Sequence, residues 1–290
     1  MNTLTNLLDL PQPVVDAVAN DPYSSGDADI SVTRLISPPQ QVALVKDHAE
    51  ELVEDASDRI WSLLGQAVHT ILERAGDGEG RIVEKRYTAG VSGWKVSGQA
   101  DVIEGGVLSD YKVMSVWEII HGLKPEKTQQ LNVLKYLAQK NGEEVNGLQI
   151  VGIFRDWSAS KAEHDRDFPQ KQIAVLPVQM WPDDKTEKFI SERVDLHRRA
   201  QAGENIPCTD EERWSRPDKW AVIKVGRKSA SRVLDSEEDA KRWRDENSTE
   251  SNVAHRAKIV HRPGKNLRCE SYCAAKTWCS QFESLNRREK

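Results

Sequence analysis

The chain has 290 residues, 38% of them hydrophobic and 30% charged, with a formal net charge of −5; this suffices for one large or two small domains with a substantial core and excludes a uniformly basic nucleic-acid binder. No apolar run reaches membrane-spanning length, and the opening MNTLTNLLDLPQPVV is short and broken by Pro11 and Pro13, so neither a signal peptide nor a membrane helix is expected. Charge is uneven: residues 1–180 carry 17 basic and 26 acidic side chains and residues 181–290 carry 24 and 20, giving parts of −9 and +4.

In chain order, residues 1–29 are rich in Asp, Pro and Ser and read as a flexible arm before a core expected over 30–205. Residues 58–74 predict an amphipathic helix, with Ile60, Trp61, Leu64, Val68, Ile71 and Leu72 at three- and four-residue intervals. His69 and Glu73 share a face of it, with Glu73 read as a surface residue beside Arg74. Gly65 sits inside that helix, where glycine costs about 1 kcal/mol, which predicts close approach to a sheet. Next come two β-branched runs, 94–103 and 107–113, around Gly105-Gly106, the mark of a hairpin. A second helix is expected over 124–140, begun by Pro125 and stopped at Asn141-Gly142. Its Leu131, Leu134, Tyr136 and Leu137 form an apolar stripe, while Gln130 projects elsewhere. Strands over 148–154 and 172–178 and a helix over 183–200 complete the core. Arg155, at the end of the first of these strands, suits either a grip on DNA or a structural salt bridge.

The hairpin carries the chemistry. With Gly105 and Gly106 as turn residues, Glu104 pairs with Val107, Ile103 with Leu108, Val102 with Ser109, and Asp101 with Asp110. Opposed side chains stand roughly 4.5–5.5 Å apart at Cβ, and Lys112 shares the face of Asp110. Two opposed carboxylates repel unless a cation lies between them, and hard oxygen ligands favour Mg²⁺ or Mn²⁺. The same residues would also suit a solvated hairpin that carries two acids by chance.

In order along the chain, Gly65-x3-His69, Gly98-x2-Asp101, Asp110-Tyr111-Lys112 and Gln130-Leu131 resemble the RecB-type branch of the PD-(D/E)XK nucleases, over roughly residues 30–200. The resemblance implies an α/β fold, a mixed central sheet flanked by helices with a metal site at its edge. It implies His69, Asp101 and Asp110 as metal ligands, the Tyr111 carbonyl as a backbone ligand, and Lys112 beside the attacking water. Gln130 matches the glutamine of the family's Q-x3-Y motif. Leu134 stands where its tyrosine is expected, and Tyr136 comes two residues late. Hydrolysis of a phosphodiester needs an activated water and relief of growing negative charge, which a divalent ion and a lysine can supply.

The 4 cysteines are Cys208 and the trio Cys269, Cys273 and Cys279. Without a leader segment a reducing cytoplasm is expected, so this set suggests a metal or cluster rather than disulfides. Four thiolates suit zinc or iron–sulfur, and the spacing lacks the C-x2-C knuckle of zinc ribbons. The arrangement resembles iron–sulfur nucleases of the AddB and CRISPR-adaptation types, which implies a [4Fe–4S] cluster, with zinc as the alternative. In those relatives the lone cysteine precedes the nuclease motifs, whereas Cys208 follows them.

Residues 206–290 are therefore expected to form a small cysteine-stapled α/β part. Strands are read at 220–225 and 259–261 and a capped helix at 236–243. Basic stretches at 219–232 and 251–268, each free of acids, suit phosphate contacts or a solvated surface. Trp214, Trp220, Trp243 and Trp278 accompany them, suited to the core or to base stacking. The expectation is a metal-dependent DNA exonuclease of recombination, repair or phage DNA processing, acting on free or single-stranded ends. It would work alone, as a homo-oligomer, or with a recombination partner protein. A non-catalytic nucleic-acid-binding module and a zinc-stapled RNA nuclease are the alternatives.

Overall fold

A computed structural model describes residues 3–20, 26–76, 78–247 and 257–288. The chain divides into two compact units, Met1–Ile206 and Pro207–Lys290. In the first, β1 (Thr3–Thr5), α1 (Gln12–Ala19), β2 (Ile30–Ser31), α2 (Val32–Ile36), α3 (Pro39–Asp47) and β3 (Val53–Asp55) precede α4 (Ile60–Leu72). Then come β4 (Arg81–Val91), β5 (Trp94–Glu104), β6 (Val107–Met114), α5 (Trp117–Ile120), α6 (Pro125–Lys140), β7 (Gly147–Phe154), α7 (Ala159–His164), β8 (Ile173–Pro177) and α8 (Asp183–Gln201).

The expected arm is only partly an arm. β1 pairs in parallel with β3, and the Asp55 carboxylate accepts the Leu7 amide and the Thr5 hydroxyl, each at 2.8 Å. These bonds fasten a segment whose composition alone offers little apolar burial. Residues 1–2 and 21–25 of that expected arm lie outside the described residues.

The central sheet has six strands and is mixed: β4–β5–β6 is antiparallel, β6–β7 parallel and β7–β8 antiparallel. The parallel step requires a long crossover, and α6 provides it. Gly105 and Gly106 turn the β5–β6 hairpin with φ of 56° and 78°, as a two-residue turn of this hand requires. β6 then leaves β5 after the Val102–Ser109 pair, and β2 takes the vacated edge at Val96 and Ser97. A split therefore opens in the sheet where Gly98 to Asp101 faces Asp110 to Lys112.

The core gathers Leu131, Leu134 and Leu137 of α6 against Val96, Leu108 and Ile150 of the sheet. α6 is buried from Leu131 to Ala138, and its two polar insiders are satisfied. The Asn132 side chain takes the Trp181 amide and donates to the Gln179 carbonyl, and Lys135 reaches Asp183 and the Trp181 carbonyl, both at 2.7 Å. Tyr136, two residues past the expected tyrosine position, lies in this core, only 4% exposed.

In the second unit, β9 (Ser215–Arg216), β10 (Lys219–Ile223), β11 (Arg232–Leu234), α9 (Glu237–Glu246), β12 (Lys258–Arg262), β13 (Lys265–Asn266) and α10 (Ser280–Arg288) follow one another. β11–β10–β12 form a three-stranded antiparallel sheet on which α9 packs through Val222, Ala240 and Ala257, with Trp220 and Trp243 at the margin. Ser236 caps α9 by accepting the Asp239 amide at 3.0 Å. Residues 251–256 of the second basic stretch lie outside the described residues. Among the described residues no helix is long and apolar enough to cross a membrane.

Candidate active site

Three elements meet at the split. α4 contributes His69, β5 contributes Asp101, and β4 contributes Glu84. Their ligand atoms all lie within 4.8 Å of one another, with His69 Nδ1 at 3.4 Å from Glu84 and 3.6 Å from Asp101. Glu84 is the residue that sequence reasoning missed, because β4 itself was missed: Ile82, Val83, Tyr87 and Thr88 are interrupted by a charged run. The Ser92-Gly93 dipeptide between two β-rich runs was the signal for this second hairpin, and both residues have positive φ.

Glu84 interrupts its own strand. The β4–β5 ladder pairs Val83 with Val102 and Lys85 with Ala100 and omits Glu84 with Asp101 between them; Glu84 has a φ of 48°, in the left-handed region that a glutamate rarely adopts. A non-glycine residue held there costs of order 1–3 kcal/mol and persists only where its surroundings fix it. Gln99 helps to do so by donating to Glu84 at 2.7 Å, and Arg86 donates to Gln99 at 3.0 Å.

The expected Asp101–Asp110 ladder pair does not form. Pairing stops one step earlier, because the Asp101 carboxylate itself accepts the Tyr111 amide at 2.7 Å. Asp110 is 1% exposed; one of its oxygens accepts Lys112 Nζ at 2.8 Å, and the other, Oδ2, is buried with no hydrogen-bond partner. Such an orphan is costly unless something cationic completes it. The compact group thus comprises His69, Glu84 and Asp101, while Asp110 holds Lys112 through one oxygen. Tyr111, between them, sets its ring edge-on to His69.

An open cleft of about 780 Å³ is lined by His69, Glu84, Asp101, Lys112 and Gln130, so four of the expected side chains do converge. Glu73, read as a surface residue, also borders the cleft. Gly65 does too, but a Cβ there would meet nothing within 4 Å. Its expected packing role belongs instead to Gly98, where a Cβ would stand 2.5 Å from Leu134 and 2.7 Å from Val32. That close approach seats α6 on β5 and delivers Gln130 to the cleft.

The charges are frustrated. Burial first, and then the Asp110 charge, push the Asp101 carboxyl up to about 7. The hydrogen bond to Glu84 outweighs burial and holds His69 above the usual imidazole range. Burial opposes the charge on Lys112, but Asp110 and Asp101 prevail and keep its pKa raised.

In the second unit all four cysteines are free thiols. Burial first, then Glu212 and the other three cysteines, push Cys208 up to about 12. Gln281 clips the Cys208 backbone at both N–H and C=O, each at 2.9 Å. Burial raises Cys269 and Cys273 too, against the pull of Arg213 and Arg268 at the first and of the Ala275 amide, Arg268 and Lys276 at the second.

No family model matches the chain, and no curated protein does. Among solved structures, SSO0001 aligns at 19% identity over 69% of this chain and 89% of its own, with a TM-score of 0.46. A protein from Eubacterium rectale, provisionally designated an exonuclease, aligns at 17% identity over 61% and 68%, with a TM-score of 0.33. Function is therefore read from the side chains themselves.

Proposed function

We propose that the first unit is a Mg²⁺- or Mn²⁺-dependent deoxyribonuclease acting on DNA ends, in recombination, repair or phage DNA processing. The observation that carries this is the His69, Glu84 and Asp101 cluster beside the orphaned Asp110 Oδ2 and the Lys112 ammonium. An imidazole with carboxylate oxygens fits a hard divalent ion, which would also complete the unpartnered Asp110 Oδ2. His69, Glu84 and Asp101 would hold it, with Asp110 Oδ2 in support. When bound, such an ion acidifies water and offsets charge on the phosphoryl oxygens.

The chain's own groups do the rest. Lys112, anchored by Asp110, holds a positive charge at the cleft wall where a phosphate gains negative charge. Gln130 offers amide donors to a phosphate oxygen, and Gln99 with Arg86 keeps Glu84 aimed inward. The same proposal assigns Cys208, Cys269, Cys273 and Cys279 to a [4Fe–4S] cluster in the second unit. What supports this is that the other three cysteines stand among the charged neighbours of Cys208, with Arg213, Arg268 and Lys276 beside Cys269 and Cys273.

The test incubates end-labelled single- and double-stranded linear DNA and a covalently closed circle with Mg²⁺, Mn²⁺ or EDTA. Linear DNA is expected to be degraded and the circle spared, with EDTA stopping the reaction; cutting of the circle or indifference to EDTA would contradict the assignment. Anaerobically purified protein is expected to be brown with broad absorption near 400 nm, and a colourless protein with stoichiometric zinc would overturn the cluster.

A further inference from the structure

α4 has a second face besides the one that carries His69. None of its side chains is buried, and Trp61, Leu64 and Ile71 are 58%, 38% and 54% exposed. A surface indole and two aliphatics in a helical stripe are an unpartnered face. A second indole, Trp117 at the start of α5, is 49% exposed.

Cations attend both rings. The Arg155 guanidinium lies 4.8 Å from the Trp61 centroid, and Lys161 Nζ lies 5.8 Å from that of Trp117. His121 stacks on Trp117 at 5.6 Å with the planes 17° apart. Arg155 and Trp117 are fixed to the same strand ends: the Arg155 amide donates to the Met114 carbonyl, and the Asp156 carboxylate holds the Ser115 hydroxyl and the Val116 amide. Lys112 stands two residues before Met114 on β6, about 7 Å along the strand. The cleft-lining Ser62 and Gly65 are the chain neighbours of Trp61 and Leu64 on α4, so that helix carries both the cleft wall and the patch.

Exposed apolar rings alone would suit a protein partner, and cations alone would suit any phosphate chain. Indoles with cations over them match a strand that presents unpaired bases and phosphates together, while duplex DNA keeps its base faces hidden. We propose that Trp61, Trp117, Arg155 and Lys161 form a stacking platform for a single-stranded segment of the DNA substrate at the mouth of the cleft. This rests on the nuclease reading of that cleft and adds to it a preference for unpaired ends.

The test is fluorescence anisotropy with labelled oligothymidine of twenty nucleotides and a blunt duplex of equal length, in Ca²⁺ to hold back cleavage. Changing Trp61 and Trp117 together to Ala is expected to weaken single-strand binding about tenfold or more and duplex binding less than about twofold. Changing both to Phe should restore most of the single-strand affinity. Equal loss on both DNAs, or no loss, would overturn the platform. So would unchanged oligothymidine affinity with an altered oligomeric state, which would give the face to a second copy of the chain. Mn²⁺-dependent hydrolysis of bis(p-nitrophenyl) phosphate by the wild-type protein, run in parallel, judges the nuclease reading separately. Its absence would sink that reading and leave the anisotropy to decide the platform.

Discussion

Glu84 and Asp101 stand opposite one another at the one break in the β4–β5 ladder, with Glu84 held at a φ of 48°. The backbone gives up a regular pair, and His69 Nδ1 lies within 3.6 Å of both carboxylates. Glu84→Gln should keep the fold and weaken Mn²⁺ binding at least about tenfold, since one charged donor is lost. Calorimetric titration with Mn²⁺ checks this, and unchanged affinity would remove Glu84 from the site.

Asp101→Asn separates stability from function. The Asp101 carboxyl sits at about 7 against an ordinary 3.8, so between those values the folded state keeps a proton that the unfolded chain has released. Stability of the metal-free protein should therefore fall as pH rises through that window and level off above it. Asparagine can still accept the Tyr111 amide but carries no charge. The variant should be more stable than wild type by roughly 1–3 kcal/mol at about pH 8, with the gap closing near pH 4, while its nuclease activity is lost. Urea unfolding in EDTA at both pH values reads this directly.

Lys112→Met should lower the rate of DNA hydrolysis by about a hundredfold or more while leaving Mn²⁺ affinity nearly intact. A parallel loss of metal binding would show that Lys112 acts by holding Asp110 in place and not on the phosphate.

Gly98→Ala places a methyl group 2.5 Å from Leu134 and 2.7 Å from Val32. It should destabilise the first unit by about 1–3 kcal/mol and reduce activity by displacing Gln130. A thermal melt with an activity assay checks both, and a neutral outcome would mean that α6 yields without moving its glutamine.

How much of this was legible in the sequence varies residue by residue. The Gly105-Gly106 turn fixed the β5–β6 register through Val102 and Ser109, because a two-residue turn leaves one phase of pairing. It did not disclose that Asp101 would abandon the ladder for the Tyr111 amide, a side-chain choice that backbone pairing rules do not contain. His69, Asp101, Lys112 and Gln130 line one cleft, a grouping that only the resemblance of their ordered motifs implies from sequence. Glu84 was not, since it depends on a left-handed residue inside a strand, a conformation that propensity argues against. Gly65 was given a packing role that belongs to Gly98, because spacing marks a glycine but not what its missing Cβ would strike.

The central claim is that His69, Glu84 and Asp101 hold a divalent ion beside Asp110 and Lys112. Crystals soaked in Mn²⁺ and measured at the manganese absorption edge test it most directly. The account predicts an anomalous peak bonded to all three side chains with Asp110 Oδ2 turned toward it. A peak elsewhere, or none at saturating Mn²⁺, would contradict it.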